Sequence, residues 1–337
     1  MEKTALVTGS AGFIGFHLCK RLLSEGWTVW GIDGLTDYYD VQLKQARHAI
    51  LETDPGFRPV IGHIEEEGLV AGLCAELRPS VIVHLAAQAG VRYSLEAPRS
   101  YVQSNLCGTM EVLEAARTYP PHHLMMASTS SVYGANTQMP YREVDKADLP
   151  MSFYAATKKA NEAMTHSYAH LYGIPTTMFR FFTVYGPWGR PDMALFKFVR
   201  AILAGEAIDV YNHGNMQRDF TYIDDLIEGL VRLSAVPPNR DEPVTLDSLS
   251  PVGPWRIVNV GHGAPEKLVD FIDAIERALG MTAKRNLLPM QPGDVPATWA
   301  DSALITQLVG TLPQTSLSDG VEAFVAWFRS YYGQQTS

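Results

Sequence analysis

The sequence predicts an α/β protein in which a Rossmann-type doubly wound parallel sheet is followed by a smaller mixed α/β C-terminal domain. Three features carry this. Through the first half, continuous apolar runs of strand length alternate with segments of helical spacing, the pattern of a parallel sheet covered on both faces. Three glycines stand between the first run and the first helix, and an acid ends the second run. After Phe182 the rhythm loosens, with Gly/Pro punctuation at "YGPWGRPD" and "SLSPVGPW". The expected division is 1–180, joined by parts of 219–262, for the larger domain and 181–337 for the smaller, discontinuous one.

Each element follows from its residues. "TALVTG" (4–9) is a short buried strand, and 12–26 has helical spacing through Phe13, Ile14, Leu18, Leu22 and Leu23 before a Gly26 stop. "TVWGID" (28–33) is the next strand, and 58–62, 69–78 and 80–87 repeat strand, helix, strand. Residues 98–117 read as one helix, "HLMMAS" (123–128) as a strand, 152–173 as a long helix and "PTTMFRFF" (175–182) as a strand. No repeat or low-complexity segment interrupts them.

Composition narrows the function. With 46% hydrophobic and 19% charged residues the chain reads as globular, and no apolar stretch reaches the roughly 18–20 residues of a membrane span. A formal charge of −9 argues against nucleic acid, whose backbone asks for clustered Lys and Arg. The first apolar run starts at Ala5, which leaves no room for an export signal, so a cytoplasmic protein is expected. Cys19, Cys74 and Cys107 read as reduced packing residues, and with no CxxC or Cys/His cluster no metal is expected.

"VTGSAGFIG" places Gly9, Gly12 and Gly15 between strand and helix, where glycine permits a tight turn, close backbone approach to a pyrophosphate and close helix packing. Asp33 ends the second strand eighteen residues past Gly15, where a carboxylate takes both hydroxyls of an adenosine ribose and repels a 2'-phosphate. The reading is a Rossmann-type sheet that binds NAD.

Two further stretches carry chemistry. Tyr154 and Lys158, in "SFYAATKKAN", stand four apart and share a helix face. A phenol with an ordinary pKa near 10 is a poor base at neutral pH, but a nearby ammonium and a cationic nicotinamide favour its phenolate, which can then take a proton from a sugar hydroxyl. "ASTSSVYG" (127–134) puts Ser128, Thr129, Ser130 and Ser131 at the end of a buried strand, next door to that helix. Ser128 is the member that a polar strand end explains by itself.

Together these residues resemble the extended short-chain dehydrogenase/reductase superfamily, and within it the nucleotide-sugar epimerases. "TGSAGFIG", "HLAAQAGVRYS", "SSVYG", "YAATKKANE", "RFFTVYGPWGRPDMA", "RDFTYIDD" and "QPGDVPATWAD" occur in the family's order, over nearly the whole chain. "DYYDVQLKQAR", "AGVRYSLEAP" and "TVYGPWGRPDMALFKF" look most like UDP-glucuronate 4-epimerases. The resemblance implies NAD-dependent interconversion of UDP-glucuronate and UDP-galacturonate through a 4-keto sugar. The same-family alternatives are UDP-glucuronate decarboxylase, UDP-hexose 4-epimerase and UDP-glucuronate 5'-epimerase.

Carried over by position, it makes Thr129, Tyr154 and Lys158 catalytic, with Tyr154 as base. It places NAD on Gly9, Gly12, Phe13, Ile14, Gly15, Asp33, Ile64, Leu85, Ala86, Ala87 and Asn105, beside Tyr154 and Lys158. The UDP-sugar falls to Arg92, Ser130, Ser131, Thr183, Arg190, Arg218 and Asp294. Arg218 matches the arginine that meets the diphosphate, a charge that suits a bidentate guanidinium. Arg190, Thr183 and Arg92 are candidates for the C6 carboxylate. The 4,6-dehydratases carry an Asp-Glu pair where this chain has Ser130 and Ser131, and the decarboxylases a Glu where it has Ser131. Three positions depart from the wider pattern: His63 stands for an Asp beside the adenine, Gly34 for an Asn, and Gln291 for a second diphosphate arginine. The family also implies a homodimer through helices near 98–118 and 152–172, where Val102, Leu106, Met110, Met164, Tyr168 and Leu171 supply apolar surface.

Overall fold

A computed structural model describes residues 2–291 and 294–333; Pro292 and Gly293 of "QPGDVPATWAD" lie outside the described residues. In chain order the elements begin β1 (Thr4–Thr8), α1 (Phe13–Ser24), β2 (Thr28–Asp33), α2 (Val41–Leu51), β3 (Phe57–Ile61), α3 (Leu69–Leu77), β4 (Val81–His84), α4 (Tyr93–Glu96) and α5 (Pro98–Tyr101). A π-helical turn (Val102–Cys107) leads into α6 (Gly108–Thr118), β5 (His123–Thr129), α7 (Phe153–Tyr172), β6 (Thr176–Phe181), β7 (Thr183–Tyr185) and α8 (Ala194–Leu203). The remainder is β8 (Ala207–Val210), β9 (Gln217–Tyr222), α9 (Ile223–Ser234), β10 (Trp255–Val260), β11 (Pro265–Lys267), α10 (Leu268–Leu279), β12 (Lys284–Leu287), β13 (Ala297–Thr298), α11 (Ala303–Val309) and α12 (Leu317–Gly333).

Seven parallel strands form the main sheet in the order β10-β6-β5-β4-β1-β2-β3, so the winding reverses between β1 and β4. Strands β1, β5 and β6 are buried at every residue, as parallel strands between two helical layers must be. Alternation sends Val7 toward one layer, with Phe16 and Leu22 of α1 and Leu226 and Leu230 of α9. Leu6 faces the other, with Cys74 of α3 and Leu113 and Ala116 of α6. A second core gathers Phe196, Val199, Phe220, Phe271, Ile275, Phe324 and Phe328 around β9 and helices α8, α10 and α12. After Phe182 the chain contributes to the first core at Val184 of β7, at α9, at β10 and through Leu304 and Ile305 of α11.

Four expectations need correction. The single helix expected over 98–117 is α5, the π-helical turn and α6; the wider turn brings Asn105 inward, where its amide is fully engaged. The strand expected to run to 87 stops at His84, because the Thr8 hydroxyl accepts from the amides of Leu85 (3.1 Å) and Ala86 (3.0 Å) and draws the chain off the ladder. Helix α2 has no counterpart in the sequence reading, since its inward residues include Lys44, Arg47 and His48 as well as Leu43 and Leu51, which erases the apolar stripe. Cys19 and Cys74 are buried thiols, but Cys107 is exposed on the π-helical turn and is not a packing residue.

Candidate functional site

A cleft of about 270 Å³ opens at the carboxyl ends of β1, β2, β4 and β5, beside the point where the winding reverses and where open α/β sheets bind their ligands. Its floor is the turn between β1 and α1. Gly9 has φ +75°, and a Cβ there would lie 2.8 Å from the Ala86 amide nitrogen; one on Gly15 would strike the Gly9 carbonyl. A side chain at either position would collide with backbone, so the tight turn requires glycine there. Asp33 is fixed at the end of β2, where its carboxylate accepts from the amides of Ala11 (3.0 Å) and Leu35 (2.8 Å).

Beneath the cradle the buried His84 joins β4 to β1 and α6. The Thr8 oxygen already accepts two amides, so its proton goes to His84 Nδ1 (2.8 Å), and His84 Nε2 donates to Thr109 Oγ1 (3.2 Å). Burial lowers the His84 pKa to about 3, which keeps the ring neutral as this chain of bonds requires.

The catalytic candidates meet on the opposite wall. Ser152 caps α7 by accepting from the Ala155 amide (3.1 Å), and the helix opens with Tyr154 toward the cleft. Thr129 ends β5; its oxygen accepts from the Ser131 amide (3.2 Å), which leaves its proton for Tyr154. Lys158 is buried, and its ammonium donates to the Ala127 carbonyl at 3.0 Å. Burial raises the Tyr154 pKa, while the hydrogen bond from Thr129 and the Arg190 charge pull it down. The expected lowering is thus outweighed by burial, and its counterweights are Thr129 and Arg190. Burial brings Lys158 down to about 8.

Arg190 also lines the cleft. Asp192 holds it on one edge, with Nε to Oδ1 at 3.0 Å and Nη2 to Oδ2 at 2.6 Å, and the Tyr38 hydroxyl donates to the same carboxylate at 3.2 Å. Burial works against the charge on Arg190, but the Asp192 pair prevails and its pKa is raised. Arg47 of α2 ties the walls together by donating to the carbonyls of Ala11 (2.8 Å) and Trp188 (2.6 Å).

Of the residues expected from sequence, the cleft brings together Gly9, Gly12, Phe13, Ile14, Gly15, Asp33, Ile64, Leu85, Ala86, Ala87, Thr129, Tyr154, Lys158 and Arg190. It leaves out Asn105, whose amide accepts from the Gln88 amide (2.8 Å) and donates to the Gln88 carbonyl (3.1 Å) and Thr157 (3.0 Å). Asn105 shapes the β4 loop rather than presenting a free group. Ser130 and Ser131 form the turn just beyond Thr129, and Thr183 begins β7; none of the three lines the cleft.

Arg92, Asp294 and Arg218 make a separate group. Arg92 Nη2 is 3.6 Å from Asp294 Oδ2 and its guanidinium lies over the Tyr211 ring, while Arg218 donates to the carbonyls of Gln217 (2.8 Å), Val295 (2.8 Å) and Pro296 (3.2 Å). The Arg218 guanidinium expected on a diphosphate is here held by backbone. His63 and Gly34 both line the cleft, and a Cβ on Gly34 would sit 2.8 Å from His63 Nδ1, so the two departures fit one another. Sequence reasoning missed Tyr38, Lys44, Ser128 and Met193 among the lining residues. Lys44 donates to the Thr36 hydroxyl (3.1 Å) and shapes the loop after Asp33; its signal was hidden in the polar α2. Among the described residues, no three His, Cys, Asp or Glu could hold a metal ion, and no helix is long and apolar enough to cross a membrane.

Comparison with known proteins adds to this geometry. Residues 5–246 match the model of the NAD dependent epimerase/dehydratase family. The chain is 55% identical over 331 residues to the probable UDP-glucuronate 4-epimerase of Rhizobium meliloti (strain 1021), covering 97% of each. It is 46% identical over 336 residues to UDP-glucuronate 4-epimerase 4 of Arabidopsis thaliana, covering 98% of this chain and 76% of that one. Among solved structures, the UDP-glucuronic acid 4-epimerase of Bacillus cereus in complex with UDP-glucuronic acid and NAD superposes with a TM-score of 0.86 at 33% identity, covering 98% and 100%.

Proposed function

Because the chain belongs to the NAD dependent epimerase/dehydratase family, we propose that its cleft performs the family's chemistry with Tyr154 as the base. The enzyme is an isomerase that carries out NAD-dependent 4-epimerisation of UDP-glucuronate to UDP-galacturonate. The cleft suits the dinucleotide: glycine at Gly9 and Gly15 permits the tight turn that brings backbone close to a pyrophosphate, and the fixed Asp33 carboxylate suits ribose hydroxyls. When bound there, NAD supplies hydride chemistry at the sugar's C4.

The chain's own residues handle the proton and the orientation. Tyr154 Oη takes the proton of the 4-hydroxyl and gives it back on the other face, with Thr129 bonded to the same oxygens and Lys158 as the nearby cation. The 4-keto sugar derived from a uronate is a β-keto acid, prone to lose its carboxylate. Arg190, oriented by Asp192, holds that carboxylate out of line with the ketone; Thr183 and Arg92, expected to share it, lie outside the cleft lining, and Arg92 pairs with Asp294 instead. Ser130 and Ser131 are neutral, so neither removes the C5 proton nor drives elimination. Arg218 and Asp294 frame the diphosphate end. Residues 1–180 with parts of 219–262 serve NAD in this reading, and 181–337 the UDP-sugar.

We place the enzyme in the cytoplasm as a homodimer. Cys19, Cys74 and Cys107 are free thiols, and Val102, Met110 and Leu171 are exposed on the helices expected to pair. The observation that carries the reading is the convergence of Thr129, Tyr154 and Lys158 on the cradle that suits NAD. Replacing Tyr154→Phe tests it: turnover is expected to drop by at least about 10³-fold with bound NAD unchanged, and near-normal turnover would sink the assignment.

A further inference from the structure

We infer that Glu162 is a positioning residue for this reaction and that the Ser128 hydroxyl is the tether through which it acts, a proposal that rests on the assignment of Thr129 and Tyr154 above. Tyr154, Lys158 and Glu162 are spaced by four and form one stripe of α7. That stripe meets three consecutive residues at the end of β5. Thr129 lines the cleft beside Tyr154, the Ala127 carbonyl accepts from Lys158 at 3.0 Å, and Ser128 Oγ donates to Glu162 Oε1 at 2.7 Å. The proton of Ser128 is committed to Glu162, while the residue itself lines the cleft.

Glu162 is held by three side chains, those of Arg180, Lys159 and Ser128 itself. Arg180 of β6 grips it side-on, Nε to Oε1 and Nη2 to Oε2 both at 2.8 Å, and Lys159 Nζ lies 3.2 Å from Oε2. Both side chains of the Arg180 pair are 2% exposed. Arg180 is the register partner of Ser128 across the β5–β6 ladder, so one carboxylate spans both strands at a single level. Behind it the guanidinium lies over Tyr133, whose hydroxyl donates to Asn259 Oδ1 on β10 at 2.7 Å. Apolar packing alone lets a helix slide along a sheet by fractions of an ångström. A two-pronged ion pair with a hydroxyl on the same carboxylate fixes α7 along its axis. That is the coordinate which sets Tyr154 against Thr129, where a 1 Å error costs about 10²-fold in rate.

The test uses the full-length enzyme with its bound NAD and UDP-glucuronate, with Tyr154→Phe as reference. Ser128→Ala is expected to keep its NAD content and melting temperature, lose about tenfold in kcat and leave KM within about twofold, with Ser128→Thr restoring the rate. Glu162→Gln, if it folds, is expected to lose kcat similarly, and the Ser128→Ala/Glu162→Gln double variant to be no slower than the slower single one. A Ser128→Ala enzyme with kcat within twofold of wild type, a loss that tracks NAD content or melting temperature, or additive single effects would overturn the proposal. An active Tyr154→Phe enzyme would remove the site assignment itself; an inactive one beside an unaffected Ser128→Ala enzyme would remove this inference alone.

Discussion

Lys158 is buried with its ammonium on one carbonyl, and its pKa of about 8 lies inside the working range. A cation near Tyr154 is therefore present below about pH 8 and fades above it. The alkaline limb of kcat/KM is expected near pH 8, and Lys158→Arg, which stays protonated, is expected to move it upward even as it lowers the plateau. A limb that stays in place would separate Lys158 from the profile. Arg190 gives a second test at this scale. Removing Asp192 with Asp192→Asn frees the guanidinium from its orienting partner, and the expected result is a rise in KM for UDP-glucuronate of about tenfold, worth about 1.4 kcal/mol. An unchanged KM would show that Asp192 does not matter for the substrate. Tyr154, Lys158 and the glycines were legible because their spacing states their geometry. Asp192 and Ser128 were not, since what each does depends on a partner brought by folding, Arg190 and Tyr38 for one and Glu162 for the other.

Elements were legible where burial was apolar and continuous. Strands β1, β5 and β6 gave themselves away, whereas α2 turned its polar residues inward. The inward choice has a purpose visible only in three dimensions: Arg47, wholly buried, satisfies carbonyls of the cradle and of the loop before Arg190. Arg47→Met keeps the volume and strips those bonds. It is expected to destabilise the fold by about 2–4 kcal/mol and to weaken NAD retention, read by thermal unfolding and by cofactor absorbance after gel filtration. Retained stability and NAD would contradict the role given to α2. The π-helical turn was hidden for a similar reason, because its periodicity looks helical and only the amide bonds of Asn105 show why the helix widens there.

At the scale of the molecule, the seven-stranded sheet builds the glycine cradle and the chain's later half brings Arg190 to the cleft. The sequence foretold the parallel sheet; the later returns of the chain to the first core depend on long-range packing that periodicity does not encode. Glu143 links the pieces, accepting the Asn259 amide of β10 at 2.8 Å, and burial raises its pKa to about 7. A carboxyl raised in the folded state contributes stability fully below its unfolded pKa of 4.5 and loses it as pH rises through about 7. The melting temperature of the wild type relative to Glu143→Gln is therefore expected to fall between about pH 4.5 and 7, and a flat difference would contradict the burial. The central claim is that this cleft turns the sugar over and keeps its carboxylate. Incubation of the NAD-loaded enzyme with UDP-glucuronate, followed by NMR of the products, tests it most directly. A mixture of UDP-glucuronate and UDP-galacturonate with no UDP-pentose is expected; a UDP-pentose product, or no reaction, would refute 4-epimerisation in this cleft.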